Sequence, residues 1–169
     1  MLRNILRDFH LSGVDLLPEK KQRVKEISDT LSILNSRFEQ NLLDATHAWT
    51  KHITDQRQLA GLPDSALDLA RQQADQRELD GWLLTLEFPS YYPVMTYADD
   101  ADLRYEVYRA YVTRASDQGE SDTEWDNSGI MEQLLALRHE QAQLLGYQNF
   151  AEKSLVKKMA DSTQDVLDF

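Results

Sequence analysis

Apolar positions along this chain fall mostly at three- and four-residue steps, so most of it reads as amphipathic helix. The clearest stretch follows Pro18, a residue suited to the first turn of a helix, where its missing N–H is no loss. Val24, Ile27, Leu31, Leu34, Phe38, Leu42 and Ala45 step by 3, 4, 3, 4, 4 and 3. Glu19, Lys20, Lys25, Glu26, Arg37 and Glu39 occupy the other faces. The pattern predicts a helix of roughly 28 residues, about 40 Å long. Leu2, Ile5, Leu6 and Phe9 form a shorter stripe, which Gly13 ends.

The period changes near Trp49. His47–Thr54 is rich in β-branched and aromatic residues, and Trp82–Phe88 alternates with period 2. That alternation sends Trp82, Leu84, Leu86 and Phe88 to one buried face. The two segments, strands near 48–54 and 82–88, are expected to pair as a small antiparallel ribbon lying on the helices, because a lone ribbon is marginal in water. Between them, Leu62-Pro63-Asp64 reads as turn and cap, and Ser65–Leu79 as helix.

Further on, Ser90 with Pro93 predicts a short helix, and Asp99 or Asp100 caps a longer one carrying Leu103, Val107, Tyr108, Tyr111 and Val112. Arg114–Gly129 reads as a polar loop. A helix follows from Asn127 or Ser128 to Gly146, and another from Asn149. Ser162 and Asp165 resemble a capping box with Asp in the usual Glu position. The fold class is therefore mainly α: a multi-helix segment with a small two-stranded ribbon. No cap precedes Leu2, and the last helix stops within two turns. Residues 1–169 are thus expected to be a single helical segment of a larger protein, truncated at both ends.

Composition narrows the function. The 169 residues carry a net charge of −11, with no cysteine, six glycines and four prolines. The acidic balance argues against nucleic-acid and anionic-membrane partners. Lack of cysteine removes disulfides, thiol catalysis and Cys-based zinc sites. No apolar run approaches the ~18 residues of a membrane span, and the N-terminus has no signal-peptide core. These features describe a soluble acidic domain without naming a reaction.

The candidate chemistry is thin. His139-Glu140 opens like a zinc-protease helix, but position 143 is Gln143, so the second imidazole is missing. His47 and His52, with Asp44 nearby, could supply metal ligands, yet a spacing of five suits neither one helix face nor one strand face. His10 is isolated. Asp117, Glu120, Asp122, Glu124 and Asp126 crowd one loop without the calcium-binding order of ligands. Tyr91, Tyr92, Tyr97, Tyr105, Tyr108 and Tyr111 form an aromatic patch; it reads as a ligand platform or, for the last three at helical spacing, as packing. No phosphate loop or nucleophile elbow is present. No catalytic, cofactor-binding or metal residue is assigned.

Several longer strings do resemble a known family. Asn41–Lys51 (NLLDATHAWTK), Gly61–Leu67 (GLPDSAL), Gly81–Ala98 (GWLLTLEFPSYYPVMTYA), Tyr108–Gly119 (YRAYVTRASDQG), Trp125–Asn127 and Leu137–Ala151 (LRHEQAQLLGYQNFA) occur in the order seen in the thimet oligopeptidase and neurolysin family of zinc metallopeptidases, in its oligopeptidase A branch. The resemblance runs the whole chain. It implies a neurolysin-like helical architecture with a channel between two domains, a cytoplasmic setting, and hydrolysis of short peptides, including degraded signal peptides. It also implies zinc in the full-length parent, held by an HExxH motif and a downstream Glu. None of those positions occurs here, so this segment is placed upstream of the motif, as a non-catalytic channel wall inactive alone. Its expected partners are the rest of the parent, short peptides in the assembled enzyme, and further copies of itself through exposed apolar stripes. Two other readings stay open: a free-standing helical interaction module without enzymatic activity, and a metalloenzyme using His47 and His52.

Overall fold

The computed structural model describes residues 2–119 and 123–169. Its helices are α1 (Leu2–Leu11), α2 (Pro18–Ala48), α3 (Asp64–Asp75), α4 (Phe88–Tyr97), α5 (Ala101–Thr113), α6 (Ser128–Leu144), α7 (Phe150–Leu155) and α8 (Thr163–Asp168), with strands β1 (Thr50–Ile53) and β2 (Trp82–Thr85). The chain divides into two units: one of residues 38–128, the other of the segments before Phe38 and from Gly129 onward.

Helix α2 starts where Pro18 suggests, its first bond running from Lys21 N–H to the Leu17 carbonyl. It continues to Ala48, further than the apolar stripe alone required. The helix thereby takes His47 and Ala48, and β1 begins only at Thr50.

In the unit of residues 38–128, β1 and β2 pair antiparallel, with Thr50 opposite Thr85 and Ile53 opposite Trp82. Period 2 describes the pleat but not the burial. Trp82, Leu83, Leu84 and Thr85 are all buried, because α3 and α4 pack around β2. Phe88, expected on the buried face, instead opens α4 and is 65% exposed. Pro89 sits in the first turn of α4, where it ends the strand and begins the helix. Ser90 is not that helix's cap; its Oγ accepts the Thr85 amide at 3.0 Å and closes the end of the ribbon. One apolar cluster includes Ile53, Leu59, Leu62, Ala70, Trp82, Leu84, Leu86, Val94, Leu103 and Val107. Gly61 (φ +88°) lets the turn before α3 lie against the end of α4: a Cβ there would stand 2.2 Å from the Tyr97 carbonyl oxygen.

In the other unit, buried apolar side chains come from α2 (Val24, Ile27, Leu34), from α6 (Ile130, Leu134, Ala142) and from Leu145. A polar chain links buried Gln141 to exposed Ser28 and half-buried Lys153. Ser28 Oγ donates to the Val24 carbonyl at 2.8 Å and accepts from Gln141 Nε2 at 3.0 Å, and Lys153 Nζ donates to Gln141 Oε1. Burial holds Lys153 below the ordinary lysine range, and the charge of Arg138 adds to that. The caps of the short helices form as expected. Asn149 accepts the Glu152 amide, and Ser162 with Asp165 makes a reciprocal capping box.

Candidate functional site

The best-defined cavity in the unit of residues 38–128 has a volume of about 230 Å³. Ala45 and Trp49 reach it from the end of α2 and the residue beyond, Leu86 from the end of β2, and Tyr105, Glu106, Arg109, Ala110 and Thr113 from α5. These α5 positions follow helical spacing, so one face of the helix supplies them. Arg114, Ala115 and Gly119 complete the lining.

The polar rim is organised. Lys51 Nζ donates to both oxygens of Glu106 at 2.9 Å, offsetting that charge. The Arg114 guanidinium lies 3.7 Å over the Tyr111 ring and donates through Nη1 to the Tyr111 carbonyl. Tyr111 in turn stacks on Tyr91, with centroids 3.9 Å apart and planes 17° from parallel. Burial pushes the Tyr91 hydroxyl above its ordinary range; Tyr111 and Tyr108 add to this, while Arg114 opposes it. Arg114 Nε is buried and meets no acceptor. Ala115 holds φ +54°, a left-handed conformation unusual for alanine, and its carbonyl accepts the Asn127 amide at 3.0 Å. Asn127, 2% exposed, also accepts from Asn41 and donates to the Phe38 carbonyl, anchoring the far side of the turn.

A second, open pocket of about 380 Å³ lies beside α3, lined by Gln56, Asp64, Leu67, Asp68, Arg71 and Trp82. The Arg71 guanidinium covers the Trp82 ring at 5.2 Å, and Trp82 Nε1 has no acceptor. In the other unit, Phe150, Leu155, Val166 and Leu167 line an apolar groove between α7 and α8.

The histidines do not converge. Glu140 is taken by Arg23, which donates to its two oxygens at 2.7 and 2.8 Å and holds its carboxyl below the ordinary range, while His139 is exposed. His47 Nε2 lies 3.5 Å from Glu87, His52 Nε2 faces the Asp80 carbonyl at 2.6 Å, and Asp44 accepts from Gln40. His10 bridges Asp15 at 2.7 Å and the Leu145 carbonyl at 3.1 Å. Among the described residues no group of three or more His, Asp or Glu side chains could hold a metal ion. The described side chains therefore do not fit a zinc centre. In the acidic loop, Glu120 and Asp122 lie outside the described residues; Asp126 accepts from the Ser128 amide and hydroxyl, which lowers its pKa.

The tyrosine patch divides. Tyr91 and Tyr111 pack against the core, Tyr105 stands at the cavity, and Tyr92, Tyr97 and Tyr108 are exposed. Helical spacing alone had grouped Tyr105, Tyr108 and Tyr111 for packing, yet their contacts differ. The cavity residues Trp49, Arg109 and Arg114 were not singled out from sequence as a site. The readable signal was the alternation of tyrosine, arginine and small residues along α5.

Comparison with known proteins finds likeness to peptidases over part of their length. Residues 94–169 match the model of Peptidase family M3. The chain is 59% identical over 166 residues to "Oligopeptidase A" of Escherichia coli, covering 98% of this chain and 24% of that protein. It is 58% identical over 166 residues to the Salmonella typhimurium protein of the same name, covering 98% of this chain and 24% of that protein. It is 54% identical over 168 residues to that of Haemophilus influenzae, covering 99% and 25%. The chain is homologous to one segment of oligopeptidase A and spans about a quarter of the length of the curated relatives it matches. Among the described residues, no helix is long and apolar enough to cross a membrane.

Proposed function

We propose that this chain serves as a non-catalytic wall of the peptide channel in a larger, zinc-dependent, cytoplasmic oligopeptidase that cleaves short peptides. The carrying observation is identity at 54–59% over nearly the whole chain, concentrated in about a quarter of each relative. The absence of HExxH from the sequence and the scattered histidines support a structural role for this segment. Its contribution is shape: a helical surface beside the substrate path admits an extended peptide and excludes a folded one. The zinc chemistry belongs to the parent beyond these residues.

The proposal is tested by the intact mass of the product in its source cell and by hydrolysis of a short fluorogenic peptide. A much larger product with chelator-sensitive activity, beside an inactive 169-residue chain, is the expected result. A product of the size of this chain, or chelator-sensitive hydrolysis by this chain alone, would overturn it. Exposed Leu2, Leu6 and Phe9 on α1 and Leu167 on α8 form apolar faces that the parent would cover. The isolated chain is therefore expected to self-associate, and sedimentation showing a monomer at all concentrations would count against that.

A further inference from the structure

We infer that the cavity between α5 and the α2–β1 corner binds a small apolar carboxylate, such as a bulky apolar residue at the free C-terminal end of a short peptide. The peptide as the ligand's source rests on the function proposed above; the carboxylate site itself rests on the cavity.

Size sets the first limit. At about 230 Å³ the cavity is smaller than the ~300–1,000 Å³ of pockets that enclose drug-sized molecules, so the occupant is the size of one residue. Composition sets the second. Ala45, Trp49, Leu86 and Ala110 offer an apolar wall that would take an aliphatic or aromatic side chain out of water.

Charge sets the third. The protein carries −11 overall, and Glu106 at the rim is offset by Lys51. Arg109, also in the lining, has an interaction of its own. Arg114 pairs with no carboxylate among the described residues, and its buried Nε has no acceptor. Arg114 lines the cavity, and a ligand carboxylate at its guanidinium would supply the counter-charge missing among the described residues. The planar guanidinium fork can pair bidentately with a planar carboxylate.

Rigidity is the fourth observation. The Arg114 head is held against Tyr111, which is stacked on Tyr91, so little motion is lost on binding. The next residue, Ala115, is kept in the left-handed region. Backbone strain of this kind persists where the surroundings over-determine it, often at ligand clamps.

The test follows the indole signals of Trp49, Trp82 and Trp125 in the full chain by NMR during titration with N-acetyl-L-leucine. Its uncharged partner is N-acetyl-L-leucinamide, and a pentapeptide ending in free leucine is the third probe. Trp49 is expected to shift saturably with the acid, without matching shifts at Trp82 or Trp125. Loss of the carboxylate, or Arg114→Gln, is expected to weaken binding by about tenfold or more, the scale of one charge-assisted hydrogen bond. Tyr105→Ala changes an exposed residue at the cavity and is expected to weaken binding while leaving the fold intact. Equal response to acid and amide, or no saturable Trp49 shift, overturns the site even if Arg114→Gln fails to fold. Binding of the acid but not of the pentapeptide keeps the carboxylate site and removes the peptide as its source. Neither result touches the channel-wall proposal, which stands or falls on the activity of the longer product.

Discussion

The two units bury their cores in different ways. In residues 38–128 the ribbon, α3, α4 and α5 surround one continuous apolar cluster, drawn from a single stretch of chain. In the other unit, two stretches far apart in sequence meet through α2 and α6, and the polar chain Ser28–Gln141–Lys153 runs from the surface to the buried Gln141. It also carries surface pairs such as Arg23–Glu140 and Lys157–Asp8, and leaves α1 and α8 without buried side chains. The first unit is held mainly by area removed from water. The second depends more on directional bonds, which contribute less each and fail when one partner is lost. The candidate cavity lies in the first unit, where a packed core can hold side chains still.

Substitutions separate these two regimes. Gly61→Ala should have the largest effect: strain at φ +88° alone costs about 1–3 kcal/mol, and the clash with the Tyr97 carbonyl adds to it. Urea unfolding followed by tryptophan fluorescence would show it. Ile53→Ala should cost about 2–5 kcal/mol, the range for emptying a fully buried aliphatic site. A change below about 1 kcal/mol would mean that the ribbon is not part of the core.

In the other unit, Gln141→Leu leaves the Ser28 hydroxyl and the Lys153 ammonium without their shared partner. The expected loss is about 0.5–1.5 kcal/mol, the net worth of an ordinary hydrogen bond, because Ser28 is exposed and keeps its bond to Val24. A neutral result would show that apolar packing dominates there too, erasing the contrast. Ser162→Ala removes the capping box of α8 and should cost about 0.5–2 kcal/mol, read as lost amide protection in that helix alone.

The pH dependence gives the finest comparison. Asp8, Asp15, Asp55, Asp126 and Glu140 all have folded values below the ordinary ones. Their contribution is present above the ordinary carboxylate range and is lost as pH falls through the folded values, so both units should weaken in acid. Lys153 gives a slope of the same sign in an alkaline window. Its folded value is depressed, so the unfolded chain binds more protons between that value and 10.5, and stability rises with pH across that window. Thermal melts of wild type and Lys153→Met between neutral and alkaline pH should show this slope only in wild type.

Much of the architecture was readable in order of appearance. The α2 stripe puts Val24, Ile27, Leu34 and Ala45 inside, and Asp100, Asn149 and Ser162 cap the helices that follow them. Local signals sufficed because caps and helical periodicity act within a few residues. The ribbon's pairing was also legible, but its burial was not. Alternation assumes one wet face, whereas α3 and α4 enclose β2 and bury Leu83 and Thr85 as well. Phe88 turned outward because Pro89 begins a helix and ends the strand's period.

The candidate site was far less visible. Trp49, Leu86 and Arg114 are tens of residues apart in sequence, and nothing in their spacing links them. Residue chemistry by itself settled the long helix, the caps, the acidic balance and the missing HExxH motif. These are properties of single residues or of neighbours along the chain. Folding alone decided that His47, His52 and Asp44 each bond elsewhere, that Tyr91 and Tyr111 stack while Tyr108 stays exposed, and that Arg114 pairs with no carboxylate among the described residues. Such outcomes depend on which distant groups meet, and only the packing of whole elements brings those groups together.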